Sequence, residues 1–255
     1  MRVGLFVPCY VDQLWPAAGM ASLELLERFG VPVDFPADQT CCGQPLHNAG
    51  GAREAAPLAR RFVEIFAPYD HVVCPSASCV ATVRRYAALL GASEETGRLE
   101  RATHELCAFL VEVLGIRAIP GRFPHRVGLH ASCHGLRVLR QGCASERVET
   151  APADPARRLL ESIEGVEIAP LRRPDECCGF GGSFAVEEEA VSCLMGNDRI
   201  DDHRGAGAEV LTSTDASCLL HLSGIARRRD LSLRVMHVAE ILEQACRDAA
   251  EASPA

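Results

Sequence analysis

The chain has 255 residues, of which 48% are hydrophobic, so it can bury a core and is not expected to be disordered. Its net charge of −8 argues against non-specific nucleic-acid binding. The longest apolar run, from Val3 to Val11, is far shorter than the roughly 20 residues of a membrane span and lacks the features of a signal peptide. We therefore expect a cytoplasmic protein without nucleic-acid or membrane partners.

Strand and helix patterns alternate along the chain. In the first half, strands are predicted at 3–7, 31–35 and 71–74, and helices at 16–29 and around the apolar stripes of 58–66, 83–90 and 106–113. In the second half, strands are predicted at 127–130, 166–169, 209–212 and 233–235, and helices at 154–163, 184–200, 216–228 and 237–250. This order predicts an α/β protein whose short, mostly parallel sheets are flanked by helices.

The same order of cysteine motifs occurs twice. In each half, a cysteine after the first strand is followed by a Cys-Cys-Gly sequence and then by a cysteine after the third strand. The first set is Cys9, Cys41, Cys42 and Cys79, here called the first quartet, and the second quartet is Cys133, Cys177, Cys178 and Cys218. We infer an internal duplication into two pseudo-symmetric small domains, 1–120 and 121–255, with the boundary near Pro120 and Gly121.

Each quartet is predicted to assemble at one edge of its sheet. Cys9 follows the first strand, Cys41 and Cys42 lie in the loop after the second, and Cys79 begins the helix after the third. The carboxyl ends of parallel strands open onto one crevice, so these four side chains are expected to converge there. The second quartet is expected to converge in the same way within its own repeat.

Converging thiolates in a reducing compartment favour zinc, cuprous copper or an iron–sulfur cluster. Zinc sites usually use cysteines separated by two to four residues, whereas an adjacent pair suits two irons of a larger cluster. Four glycines near the pairs would let backbone amides approach the cluster sulfurs. They are Gly43, Gly179, Gly181 and Gly182. The pattern favours one or two 4Fe–4S clusters.

The doubled Cys-x₃₁-Cys-Cys-Gly…Cys pattern resembles the cysteine-rich CCG domain that occurs in heterodisulfide reductases and in the iron–sulfur subunits of glycolate oxidation systems. The sequences Pro75-Ser-Ala-Ser-Cys79 and Val235-Met-His-Val-Ala-Glu240 are most similar to members from L-lactate utilization systems. The resemblance implies that the two quartets bind iron. It also implies an electron-transfer subunit of an oxidoreductase that converts L-lactate to pyruvate, with a ferredoxin-domain iron–sulfur subunit and a third small subunit as partners and no catalytic residue of its own.

Two other functions stay open on the sequence. A heterodisulfide-reductase-like catalytic thiol–disulfide subunit would have a fifth cysteine in each repeat, and here only the first repeat offers one, Cys74, opposite Ser213 in the second. We interpret Cys74 as a core residue, with a fifth ligand as the alternative. The third possibility is a zinc-stabilised scaffold that is not an enzyme.

The histidines and remaining cysteines have weaker predicted roles. His134 follows Cys133 and His130 precedes it, so either imidazole can contact a cluster thiolate and tune its potential, although direct iron ligation is disfavoured. His104 and His237 are predicted at helix starts with structural roles. Structural or incidental roles are also assigned to Cys107, Cys143, Cys193 and Cys246.

Overall fold

The computed structural model describes residues 1–147 and 154–252 and places their strands in two four-stranded sheets. The first sheet contains β1 (Val3–Leu5), β2 (Val33–Asp34), β3 (His71–Cys74) and β4 (Thr103–Glu105), and the second contains β5 (Arg126–Leu129), β6 (Glu167–Ile168), β7 (Val210–Ser213) and β8 (Arg234–His237). All pairings are parallel, and the orders β2-β1-β3-β4 and β6-β5-β7-β8 are equivalent. The predicted pair of pseudo-symmetric α/β units is confirmed.

Helices connect the strands and pack on the sheets. In the first repeat they are α1 (Cys9–Leu14), α2 (Pro16–Arg28), α3 (Gln44–Asn48), α4 (Ala52–Phe66), α5 (Ala77–Val83), α6 (Tyr86–Leu90), α7 (Glu94–Ala102) and α8 (Leu106–Ala108), which continues as a π-helix over Phe109–Val113. In the second repeat a π-helix over His134–Val138 precedes α9 (Pro155–Glu161), α10 (Phe184–Glu187), α11 (Glu189–Gly205), α12 (Ala216–Arg228) and α13 (Val238–Ala252). Within the described ranges, no helix combines the length and apolarity that crossing a membrane requires.

The sequence prediction was wrong at several element boundaries. The strand β4 was missed because two of its three residues, His104 and Glu105, are polar. Both His104 and His237 were predicted to begin helices. Instead, His104 lies on β4 and His237 is the last residue of β8. The helix α7 was also missed, although Ser93 and Thr96 form a capping box at its start. The predicted helices at 83–90 and 184–200 are each interrupted, the second at Glu188.

The two repeats share a hydrophobic cluster, and each has a further cluster around its own quartet. Leu25 of α2 and Leu242 of α13 belong to the same buried cluster, and the indole of Trp15 donates a 2.7 Å hydrogen bond to Glu240. The equivalent positions Ser76 and Asp215 form an antiparallel bridge with each other, as residues beside a pseudo-two-fold axis do. This packing sets the carboxyl ends of the two sheets, and the loops that follow them, in a fixed relation.

Candidate metal centre

The first quartet assembles from three loops at the carboxyl edge of its sheet. Cys9 begins α1 after β1, Cys41 and Cys42 directly precede the short α3, and Cys79 lies in the first turn of α5. The Sγ atoms of Cys9 and Cys41 lie 3.6 Å apart, and those of Cys42 and Cys79 lie 3.4 Å apart. The topology argument thus placed these four side chains correctly.

The second quartet repeats this arrangement. Cys133 directly precedes the π-helix after β5, and Cys218 lies in the first turn of α12. The sulfurs of Cys178 and Cys218 lie within 4.8 Å of each other, and Cys177 is close enough to Cys133 and Cys178 for these thiols to shift one another's pKa. Eight of the 13 cysteines are therefore sorted into two equivalent groups, one in each repeat.

A glycine after each cysteine pair directs a backbone amide at sulfur. Gly43 and Gly179 adopt φ values of +83° and +89°, in the left-handed region. Each donates its N–H to the sulfur of the first cysteine of the pair, Gly43 to Cys41 and Gly179 to Cys177, at a distance of 3.4 Å. The surroundings of Gly179 are tighter, since a β-carbon there would lie 2.7 Å from the Ser192 carbonyl oxygen.

At the first cysteine of each Cys-Cys pair, neighbouring thiols lower the pKa. Hydrogen bonds from Cys42 and Cys9 lower the pKa of Cys41 to about 3. In the second repeat, hydrogen bonds from Cys133 and Cys178 lower the pKa of Cys177 to about 2. Each quartet therefore holds a thiolate at the equivalent position, beside thiols that release protons when a metal binds.

This set of donors fits an iron–sulfur centre. Each quartet offers four sulfur atoms, the number that a 4Fe–4S cluster requires, and backbone N–H groups point at those sulfurs. Cys42, Cys79, Cys178 and Cys218 are buried among apolar side chains, which limits the access of water to whatever the quartets bind.

The cysteine-rich CCG domain model matches this chain at residues 3–84 and 127–223, and so covers both quartets. A curated protein from Geobacillus kaustophilus named lactate utilization protein A is 39% identical over 95% of this chain and 98% of its own. A protein of the same name from Bacillus subtilis is 37% identical over 95% of this chain and 99% of its own. The chain belongs to the lactate utilization protein A family.

A solved structure shows the same fold beyond this family. The crystal structure of a hypothetical protein from Helicobacter pylori superimposes with a TM-score of 0.63 at 11% identity. The match covers 96% of this chain and 49% of the other, so the chain spans about half the length of that protein.

In this member of the family, a buried carboxylate joins the two sites. Asp215 accepts hydrogen bonds from the amides of Ser78 at 2.8 Å and Ser217 at 3.2 Å, and from the Ser217 hydroxyl at 2.6 Å. Ser78 belongs to the first repeat, so Asp215 fixes α5 to α12, the two helices that carry Cys79 and Cys218. Sequence reasoning missed Asp215, although an aspartate just before a helix signals an N-cap.

A crevice between the repeats gives access to the second quartet. Its lining includes all four of those cysteines together with Gly181 and Gly182, and Tyr10 meets Phe180 across it, with the ring centroids 5.6 Å apart. The repeats thus enclose the second quartet jointly.

His134 links the repeats at this crevice. Its Nε2 lies 3.2 Å from the amide nitrogen of Gln44, and its Nδ1 lies 3.7 Å from the sulfur of Cys133. An amide nitrogen can only donate, so Nε2 accepts and Nδ1 carries the proton toward the sulfur. The predicted contact of His134 with a quartet thiol is present; the contribution of Gln44 was not predicted.

The remaining cysteines lie outside the quartets. Cys74 is fully buried on β3 and donates to the Ser76 carbonyl at 3.7 Å, which fits the core role predicted for it, and the alternative of a fifth ligand stays open. Cys107 and Cys246 belong to the shared core, Cys193 is half-buried on α11, and Cys143 is exposed.

Proposed function

We propose that the chain is an iron–sulfur electron-transfer protein that acts in lactate utilization, with one 4Fe–4S cluster held by each quartet. The supporting observation is the sorting of eight cysteines into two equivalent groups, each with a glycine amide directed at sulfur. The relatives are named for lactate utilization, and this supplies the metabolic context.

The residues of the chain would bind the clusters and set their surroundings. The eight cysteines would supply the thiolate ligands, Gly43 and Gly179 would donate N–H groups to ligand sulfurs, and the apolar side chains around them would exclude water. When bound, such a cluster supplies one-electron redox chemistry, and its hydrogen bonds and burial set its potential.

The substrate chemistry is assigned to partners. We place the chain in the cytoplasm as one subunit of a system that oxidises L-lactate to pyruvate, with a ferredoxin-domain iron–sulfur subunit and a third small subunit. In this assignment the chain passes electrons and binds no lactate itself. Loops from both repeats meet beside the second quartet, where Gln44 contacts His134 and Tyr10 contacts Phe180, and we expect a partner to approach there.

Anaerobic purification followed by analysis of iron and acid-labile sulfide tests the proposal. We expect about eight irons and eight sulfides per chain, the content of two 4Fe–4S clusters. The variants C41A and C177A should each lose half of both, whereas C193A, which removes a cysteine outside the quartets, should keep all of them. A folded chain that contains neither element would contradict the proposal.

Electron transfer needs a second measurement. With the two partner subunits present, L-lactate should produce the electron paramagnetic resonance signal that dithionite produces in the isolated chain. If L-lactate reduces the partners but never this chain, the electron-transfer role is wrong even where iron is bound.

A zinc-stabilised scaffold is the second candidate, and two sulfur–sulfur distances favour it. Bonds of about 2.3 Å in a tetrahedral zinc site place neighbouring sulfurs about 3.8 Å apart. The 3.4 and 3.6 Å separations in the first quartet are close to this value. A colourless anaerobic preparation with stoichiometric zinc and no sulfide would establish this alternative.

A further inference from the structure

A buried imidazole without a partner lies beside the second quartet. His130 directly follows β5, where its backbone N–H donates to the Thr212 carbonyl at 2.7 Å. Its side chain is 1% exposed, and neither ring nitrogen has a hydrogen-bond partner among the described residues. A ring nitrogen of His130 and the sulfurs of Cys178 and Cys218 all lie within 4.8 Å of one another.

A second buried histidine stands behind the first. The ring centroids of His130 and His203 are 6.3 Å apart, and the Nε2 atom of His203 lies 3.2 Å from a guanidinium nitrogen of Arg199. The guanidinium can only donate, so Nε2 is the acceptor and His203 carries its proton on Nδ1. Nδ1 has no partner among the described residues. Gly128 makes room for this ring, since a β-carbon there would lie 2.3 Å from Nδ1.

Arg199 is fixed from the other side. Its side chain is fully buried, pairs with Asp202 at 3.1 Å and donates to the Arg173 carbonyl. The guanidinium, the His203 ring and the His130 ring therefore form a line that ends at the second quartet.

The ring of His130 is available to the second quartet. No described residue, His203 included, forms a hydrogen bond with either of its nitrogens, and one of these nitrogens lies within 4.8 Å of the sulfurs of Cys178 and Cys218. An imidazole carries an N–H in either tautomer. This N–H can therefore be directed at the second quartet without breaking an existing hydrogen bond.

The first repeat has no counterpart to this group. Phe6 occupies the equivalent position after β1 and packs edge-on against Phe62 and Phe66, with ring centroids 4.9 and 5.6 Å away. An aromatic hydrocarbon donates no hydrogen bond to sulfur. The second site therefore has a buried side-chain donor that the first site lacks.

We propose that His130 donates its N–H to a sulfur atom of the centre held by the second quartet, and that this centre has the higher reduction potential of the two. The inference rests on the proposed function, since it requires an iron–sulfur centre at the quartet. A hydrogen bond to sulfur stabilises the reduced, more negative state and so raises the potential. His130 acts here as a positioning and tuning residue, not as an iron ligand.

Redox titration monitored by electron paramagnetic resonance tests the proposal. The wild-type chain should show two centres with separate potentials. H130F, which copies the first repeat, should lower the higher potential and leave the lower one unchanged. H130Q keeps an N–H donor, so its higher potential should stay close to the wild-type value. H125F is the matched control, because His125 lies just before the other end of β5 and contacts Glu209, far from the thiols in the fold.

Nitrogen couplings in the wild-type chain keep the test independent of variant folding. Protein labelled with ¹⁵N-histidine should show weak histidine nitrogen couplings at the higher-potential centre, of the size that hydrogen bonds give. One of them should persist in H134F, because His134 also contacts a thiol of the second quartet. A strong coupling, typical of a ligated imidazole, would overturn the proposal, as would no coupling at that centre or equal potentials in wild type and H130F. Absence of iron and sulfide would instead overturn the proposed function, and this inference with it.

Discussion

The contact made by Asp215 offers the sharpest test of how the two sites are held together. D215A would remove the acceptor of two amides, the buried one of Ser78 in the first repeat and the part-buried one of Ser217 in the second, and also that of the Ser217 hydroxyl. Hydrogen bonds to a charged group contribute about 1.5–3 kcal/mol each, which gives a gross loss of about 3–6 kcal/mol for the two amides. Removing a buried charge offsets part of this loss, so we expect a net decrease of about 3 kcal/mol in the free energy of unfolding.

Two further variants locate the effect. D215N keeps a carbonyl oxygen that can accept the Ser78 amide, and should lose about half as much stability as D215A. D38A is the matched control, since Asp38 is 81% exposed and pairs with the partly exposed Arg61; it should change stability by less than about 0.5 kcal/mol.

Urea denaturation of the anaerobically purified proteins, followed by far-ultraviolet circular dichroism, measures these differences. Two results would refute the reasoning. One is a D215A protein as stable as the wild type, and the other is an equal loss in D38A.

Three further predictions concern single residues. Burial raises the pKa of Glu105 to about 7 from its ordinary 4.5. As the pH rises from about 4.5 to 7, ionisation of this buried carboxyl group lowers the free energy of unfolding by up to about 3 kcal/mol. In urea unfolding, E105Q should therefore stabilise the protein at pH 8 but not at pH 4. An equal effect at both pH values would contradict this. G179A should lower the iron content of the second site more than G43A lowers that of the first. A β-carbon at Gly179 would lie 2.7 Å from the Met195 side chain, whereas one at Gly43 would come no closer than 3.4 Å to its nearest neighbour, the Ala55 carbonyl oxygen. Equal losses by iron analysis would contradict the steric argument. C74A should keep full iron and C79A should lose one centre, whereas iron loss in C74A would favour a five-thiol, heterodisulfide-reductase-like site.

The fold was predictable from the sequence where local pattern and topology agree. The strand β3 and the helix α12 were placed at their observed bounds, because each has an apolar pattern and a clear boundary. The convergence of the quartets needed only the rule that the carboxyl ends of parallel strands meet. By contrast, β4 was missed because a three-residue strand with two polar members has no periodicity to detect.

The site was predictable for the residues of the repeated motif and for His134, which directly follows one of its cysteines. The cysteines and glycines occur twice in the same order, so their roles were inferred from spacing. Asp215 and Gln44 occur once and act across the interface between repeats, and such long-range contacts leave no trace in local sequence. The buried line through Arg199 and His203 to His130 was invisible for the same reason, since it joins α11 to the end of β5.

The central claim is that each quartet holds an iron–sulfur cluster. An anaerobic crystal structure with anomalous diffraction recorded at the iron absorption edge tests it most directly. We predict two separate iron peaks, one among Cys9, Cys41, Cys42 and Cys79 and the other at the equivalent place in the second repeat. Anomalous density at zinc instead of iron, or iron bound away from both quartets, would contradict the account.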